Sequence, residues 1–316
     1  MFASKMNMAQ QSLEGRPGTV ALPMITPTPA ANPPPLPPTP RRAPLVGRFR
    51  YHHDFPSTHL GNKRTLIVYL PPGYETRPER RYPVLYLHDS QNIFDPATSF
   101  TGVSWAANET AERLILTRRI RPIIMVGVYN TPDRIQEYTT HVDPKLQGGR
   151  GQLYGRFLFE EVKPFIDLNY RTLPGRRHTG LAGSSLGGQI SLALAQLHHN
   201  QFHYCAALSP SLWWARGALL RDLDGSPGWL RRMRFWIDMG TKEGKLRGEV
   251  PYGISRTRKL IEHFDKAGLL PGHDYVYWEV TGGEHSEVHW ARRFDKVLLY
   301  FFGRRRAPAK RKKPAG

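Results

Sequence analysis

The sequence predicts an α/β fold, a mostly parallel sheet covered by helices on both faces. Three observations point to it. Strand-like runs alternate with helical stretches along the chain. With 316 residues and 40% hydrophobic content, the chain can bury a substantial core, and about 250 residues suit one such domain. One strand-like run, 178–182, turns into a helix-like one, 189–198, through Gly183-Ser184-Ser185-Leu186-Gly187. The other strand-like runs are 65–70, 84–88, 123–128, 202–208, 234–239 and 275–280, and further helical stretches are 155–169, 256–267 and 290–302. No internal repeat is visible.

The G-x-S-x-G pentapeptide is the element with the clearest chemical meaning. A strand that turns abruptly into a helix holds a serine out at the top of a sheet, and glycines on either side keep the tight turn uncrowded. The bare pattern is common in a chain with 29 glycines, and a chemically silent turn is its plain alternative. A nucleophilic Ser185 needs a base and an orienting acid, which in this arrangement follow in the order serine, acid, histidine. The run from Arg234 to Gly240 reads as a buried strand that ends in Thr241-Lys242-Glu243-Gly244, placing Glu243 at the strand tip. Asp238 is the rival acid, but it lies inside the apolar run, where a carboxylate needs a local partner. The last strand-like run is followed by Thr281-Gly282-Gly283-Glu284-His285-Ser286, which delivers His285 beyond a strand end.

Other histidines compete for the base. His289 is four residues from His285, yet the H-x-x-x-H spacing lacks the glutamate of H-E-x-x-H, so a metal site with Glu284 or Glu287 is not expected. His88 begins the loop His88-Asp89-Ser90-Gln91-Asn92 after an early strand and is expected to shape it rather than act as base. Such a loop lends an N–H to an oxyanion hole. Leu186, Ser90 and Gln91 are therefore the expected oxyanion-hole residues, with no metal or organic cofactor required.

The chain resembles the putative esterase family of α/β hydrolases, which includes esterase D, the enterochelin esterases, feruloyl and acetylxylan esterases and mycolyltransferases. The resemblance rests on Tyr86-Leu-His-Asp-Ser-Gln-Asn-Ile-Phe94, Val126-Gly-Val-Tyr-Asn130 with Arg134 and Glu137-Tyr138-Thr139, Leu181-Ala-Gly-Ser-Ser-Leu-Gly-Gly188, Leu208-Ser-Pro-Ser-Leu-Trp-Trp214, Gly240-Thr-Lys-Glu243, and Gly282-Gly-Glu-His-Ser286 with Trp290. It implies the α/β-hydrolase fold and a catalytic set of Ser185, Glu243 and His285. Two departures stand out: a glutamate where many relatives have aspartate, and Ser90 where close relatives have glycine. The resemblance also implies that Trp105, Arg134, Glu137, Tyr138, Trp213 and Trp214 line or support a substrate pocket, with plain packing the alternative for each aromatic. Arg134 and Glu137, three apart, could pair with each other, and a free Arg134 at the mouth would favour a carboxylate-bearing or catecholate-like acyl group. The expected activity is serine-dependent hydrolysis of a small acyl, feruloyl-like or siderophore-like ester. Acyl transfer and a silent, scaffold-type domain are the alternatives.

The termini have a different composition. Residues 17–44 hold 11 of the 28 prolines, so 1–47 reads as a poorly ordered arm, 48–302 as the hydrolase domain and 303–316 as a basic tail. Of the formal charge of +19, the seven cations of 304–313 supply +7 and residues 1–50 supply +5, leaving +7 for the rest. Such tails attract anionic surfaces nonspecifically, but no base-reading motif is present, so no specific nucleic-acid partner is expected. Cys205 is expected to be a buried packing residue. Met1 to Leu13 has no apolar h-region and no stretch reaches membrane-spanning length, so a cytoplasmic location is the default expectation.

Overall fold

Eight strands form one sheet: β1 (Arg48–Pro56), β2 (Lys63–Leu70), β3 (Val84–His88), β4 (Ile124–Val128), β5 (Thr179–Ser184), β6 (Tyr204–Leu208), β7 (Arg234–Gly240) and β8 (Tyr275–Val280). The computed structural model describes residues 45–304 apart from 226, 245, 248 and 249. The proline-rich arm and the basic tail expected from the sequence lie outside the described residues, save for 45–47 and Gly303-Arg304. The strand order is β1-β2-β4-β3-β5-β6-β7-β8, with β2 antiparallel to both its neighbours and every pairing from β4 to β8 parallel. This is the architecture of an α/β hydrolase.

Five longer helices cover the sheet: α1 (Ala107–Leu116), α2 (residues 151–169, with a π-helical segment at Phe157–Val162), α3 (Leu186–His198), α4 (Tyr252–Lys266) and α5 (Glu287–Phe302). Because successive strand residues point to opposite faces, Leu66 and Val68 of β2 join one apolar layer and Ile67 and Tyr69 the other. The first layer includes Ile190 and Leu194 of α3; the second includes Ala111 and Leu114 of α1 and Phe294 and Leu298 of α5. Emptying one such position, as in Phe294→Ala, would cost about 3–5 kcal/mol. Cys205 is buried within β6.

β1 has no counterpart among the sequence-based expectations. It lies at the sheet edge, paired only with β2, carries Arg48, Arg50, His52, His53 and Asp54, and has a register shift between His52 and Phe55. Polar residues and a bulge are usual on an exposed edge, and they hide the apolar run by which a buried strand is recognised.

Candidate active site

The turn from β5 into α3 puts Ser185 at φ 57, ψ −123, a conformation that non-glycine residues seldom hold. Its backbone is tied down on both sides, Ser185 N–H donating to Leu208 O (3.0 Å) and Ser211 N–H to Ser185 O (3.1 Å). The side chain is thereby fixed at the carboxyl end of the sheet. Leu186 opens α3, and the first N–H groups of a helix have no intrahelical acceptor, so its N–H remains available beside the serine.

His285 arrives from the loop after β8. Its Nε2 lies 2.9 Å from Ser185 Oγ and its Nδ1 2.8 Å from Glu243 Oε2. With Nδ1 protonated toward the carboxylate, Nε2 is left to accept the serine proton. The loops after β7 and β8 converge because Lys242 N–H donates to Gly283 O (2.9 Å), Thr241 N–H to Val280 O (3.0 Å) and Gly282 N–H to Thr241 Oγ1 (2.9 Å). Gly240 makes this possible, since a Cβ there would stand 2.3 Å from Gly283 O and 2.4 Å from Glu243 Oε1.

Glu243 is buried and held at both oxygens. Oε1 accepts from Ser209 Oγ (2.6 Å) and Gly240 N–H (2.9 Å), leaving Oε2 for His285. Burial alone would raise this carboxyl, but the hydrogen bonds from His285 and Ser209 outweigh it and hold it below its ordinary value. Asp238, the rival acid, faces elsewhere: it lies 2.7 Å from Arg293 Nη1 and accepts from Trp236 Nε1 (2.8 Å). Both members of that ion pair are fully buried. Burial pushes the Asp238 carboxyl up to about 6, with Arg293 pulling the other way.

Ser209 links the two carboxylates. Its hydroxyl donates to Glu243 and accepts from Trp290 Nε1 (3.0 Å) and Arg293 Nη2 (3.2 Å). The indole of Trp290 also meets the His285 ring edge to face, with centroids 4.8 Å apart. Sequence reasoning did not single out Ser209 or Arg293. Ser211 was missed as well, although its Oγ is 3.3 Å from Ser185 Oγ.

The loop after β3 flanks the serine. Asp89, at φ 57, spends its N–H on Tyr138 Oη (3.2 Å), which leaves the N–H groups of Ser90 and Gln91, at the start of the turn Ser90–Asn92, as possible oxyanion donors. The Gln91 side chain is locked to Asn130 by two hydrogen bonds (2.6 and 3.2 Å). His88 is buried with Nδ1 2.9 Å from Tyr154 Oη, and burial lowers it to about 4, so it is a neutral shaping residue.

Arg134 and Glu137 do not pair with each other. Arg134 makes a bidentate bridge to Asp89 (2.7 Å twice), while Glu137 takes a buried bidentate bridge from Arg64 (2.7 and 2.8 Å). The charge of Arg134 is thus already matched, which removes the basis for assigning it to an anionic acyl group.

Two clefts meet at His285. The larger, about 860 Å3, is lined by Trp213, Arg216, Met239, Tyr252, Arg256 and Ser211, among others. The narrower, about 530 Å3, contains Ser185, Gln91, Asn92, Phe100, Arg134 and Trp290. Trp213 therefore lines a cleft as expected for a pocket residue, but two other tryptophans do not. Trp105 is buried against Trp290 and Phe294, and Trp214 is buried with its Nε1 donating to His141 O (2.7 Å). Large aromatics are as much core material as pocket lining, and here the core claims both. Among the described residues, no cluster of three or more His, Cys, Asp or Glu side chains has metal-binding geometry, and no helix is long and apolar enough to cross a membrane.

Known proteins agree with this architecture. Residues 57–301 match the family described as putative esterase, and the chain belongs to that family as an ester hydrolase. It is 28% identical to the endo-1,4-beta-xylanase/feruloyl esterase of Xylanibacter ruminicola over 78% of this chain and 30% of that protein. It is 26% identical to the iron(III) salmochelin esterase of Escherichia coli O6:H1, over 69% and 52% respectively. The crystal structure of the BES protein from Bacillus cereus superposes with a TM-score of 0.66 at 20% identity, covering 84% of this chain and 98% of that one.

Proposed function

We propose that the protein is a serine carboxylic-ester hydrolase that works through an acyl-enzyme. The observation that carries this reading is the unbroken line of hydrogen bonds from Ser185 through His285 to Glu243, at a strained strand-to-helix turn open to two clefts. His285 Nε2 takes the proton of Ser185 as Oγ attacks the ester carbonyl, and Glu243 holds the imidazole in the productive tautomer and balances its charge. The N–H of Leu186 and one from Ser90 or Gln91 receive the developing oxyanion. His285 returns the proton to the departing alcohol, and water, activated by the same imidazole, releases the acid.

The larger cleft supports a proposal for the substrate class. Trp213 and Tyr252 offer aromatic surface, while Arg216 and Arg256 outnumber Asp143, the one lining carboxylate besides the His285-bound Glu243: Arg256 is bonded to the Tyr252 hydroxyl, and Arg216 makes no ion pair with a carboxylate among the described residues. These features favour an aromatic, anionic ester, feruloyl-like or siderophore-like. The feruloyl and salmochelin esterases among the relatives point the same way.

Ser185→Ala tests the mechanism. Turnover of p-nitrophenyl, feruloyl and cyclic siderophore esters should fall by a factor on the order of 10^6 while the fold is kept. A purified variant that retains its turnover overturns the nucleophile assignment. Product analysis in the presence of a sugar or lipid alcohol tests the release step, since acylated acceptor in place of free acid would identify a transferase.

A further inference from the structure

The end of the domain opposite the active site has a surface of its own. Catalytic loops gather at the carboxyl ends of parallel strands, so strand beginnings and helix C-termini share the other end. The turn entering β4 brings Arg118, Arg119 and Arg121 there, and the turn entering β5 brings Arg176 and Arg177. Arg231, Arg232 and Arg234 come with the start of β7.

Backbone contacts draw these turns together. Arg121 N–H donates to Phe302 O at the end of α5 (3.0 Å), and Arg304 N–H donates to Arg119 O (3.0 Å). Arg176 donates to the carbonyls of His199 (3.2 Å) and Arg232 (2.5 Å), and Arg231 to that of Ala267 (2.6 Å). These acceptors are neutral. Among the described residues none of these arginines makes an ion pair with a carboxylate, although Arg234 is near enough to Asp274 to help lower its carboxyl, whereas Arg64, Arg134, Arg156, Arg258 and Arg293 all make one. Partial burial first, and the neighbouring Arg177 and Arg232 second, hold the Arg176 guanidinium below its ordinary pKa. A shallow cleft of about 230 Å3 at this end holds Arg77, Arg80, Arg118 and Arg304 beside Leu116.

The same end exposes leucines. Leu116 closes α1 at 65% exposure, Leu168 lies near the end of α2 at 86%, Leu197 near the end of α3 at 40%, and Leu270 just beyond α4 at 61%. A single exposed leucine needs no explanation. Four at the helix ends of this end of the domain, set among guanidinium groups that make no ion pair with a carboxylate, form the combination that binds an anionic bilayer: apolar side chains enter the boundary of the acyl region and cations meet the phosphates. A second copy of this surface would set arginine against arginine. A nucleic acid would use the charge and leave the leucines in water. The chain also leaves the described structure here, at Arg304, and the next nine residues add six more cations, Arg305, Arg306 and Lys310 to Lys313.

We infer that this end of the domain docks on an anionic lipid surface, arginines on the headgroup phosphates and leucines in the interface, with the active site facing the solvent. The test is co-sedimentation of the full-length protein with vesicles of phosphatidylcholine, alone or mixed with phosphatidylglycerol, at several salt concentrations. Binding should require phosphatidylglycerol and weaken with salt. Combined Arg118→Glu, Arg177→Glu and Arg232→Glu should weaken it about a hundred-fold or more. Leu116→Ser with Leu168→Ser should weaken it about ten-fold at every salt concentration. Changing Lys310, Arg311, Lys312 and Lys313 to Gln should reduce binding without abolishing it. Circular dichroism and thermal melting establish that each variant is folded. The inference is overturned if the triple arginine variant binds as the wild type does, or if the tail variant alone loses all binding. It is equally overturned if Leu116→Ser with Leu168→Ser binds normally while a DNA duplex binds as tightly as the vesicles.

Discussion

Ser209 Oγ lies 2.6 Å from Glu243 Oε1, the carboxylate oxygen turned away from His285. The serine is held in turn by Trp290 and Arg293, so the acid of the proposed triad is oriented by a buried polar network that begins at Asp238. A hydrogen bond to a charged group is worth about 1.5–3 kcal/mol. Ser209→Ala should therefore lower kcat about ten- to a hundred-fold with KM nearly unchanged, and Arg293→Lys should recover part of what Arg293→Met loses. If Ser209→Ala lowers only the melting temperature, the network is structural and does not position the acid.

The two acids should separate cleanly in mutants. Glu243→Gln leaves the base in place but poorly oriented, and such a loss costs up to about 10^4 in turnover. Asp238→Asn instead takes away the nearer of the two carboxylates facing the buried Arg293, leaving Glu243 Oε1 at 3.6 Å as its remaining counter-charge, and losing one partner of such a buried pair costs up to about 3–5 kcal/mol of stability. Denaturant unfolding combined with kcat per folded molecule distinguishes them. An inactive but fully stable Asp238→Asn would reassign the acid.

Most of this candidate site was legible in the sequence because its parts sit at the ends of apolar strand runs, those of β5 and β7 buried on both faces and that of β8 half-buried at the sheet edge. The same logic hides what is polar and comes from distant segments. Arg293 reads, beside Arg292, as one more surface charge on an amphipathic helix; only the packing of α5 on the sheet sets it against Asp238, 55 residues earlier. Trp105 failed in the opposite sense, since an aromatic residue carries no mark that separates core from pocket. The pairing of Arg134 with Asp89 rather than Glu137 depends on a loop from another strand, which helical spacing cannot foresee.

Ser90 and Gly127 fit one another. A Cβ on Gly127 would lie 1.9 Å from Ser90 Oγ and 2.6 Å from Ser90 Cβ, so the space left by one residue is filled by the other. Gly127→Ala should displace the Ser90-Gln91 loop and cut kcat at least about ten-fold, since one oxyanion donor is worth about 2.7–4 kcal/mol. Adding Ser90→Gly should restore part of the activity, the rest depending on how far the Phe94 ring, 2.9 Å from the new Cβ, can shift. Losses that simply add in the double variant would show that the two positions are not coupled.

His88 should make folding stability depend on pH. Its imidazole is lowered from the ordinary 6.5 to about 4 by burial, so between these values the unfolded chain binds a proton that the folded one refuses. The contribution is complete above pH 6.5, is lost as the pH falls, and is gone near pH 4; a gap of this size corresponds to about 3 kcal/mol. The stability advantage of wild type over His88→Gln should shrink by about that amount between pH 7 and pH 4. The raised carboxyl of Asp238 acts in the opposite direction but is common to both proteins and cancels. A constant difference across this range would mean that His88 is not held neutral by the fold.

The last prediction concerns which arginines meet the substrate. Arg134 lines the narrower cleft, but its guanidinium is committed to Asp89, which in turn stands beside the elbow: a Cβ on Gly187 would be 3.1 Å from Asp89 Oδ2. Arg216 and Arg256 in the larger cleft are the cations with charge to spare. Arg216→Gln with Arg256→Gln should thus raise KM about ten-fold or more for aryl esters that carry a carboxylate or catecholate, and leave kcat/KM for p-nitrophenyl acetate within about two-fold. Arg134→Gln should behave differently, lowering turnover of both substrates, because it leaves Asp89 unmatched beside the nucleophile rather than removing a contact to the ester. Equal losses on charged and neutral esters in the Arg216 and Arg256 variant would remove those residues from substrate recognition and leave the larger cleft an apolar site alone.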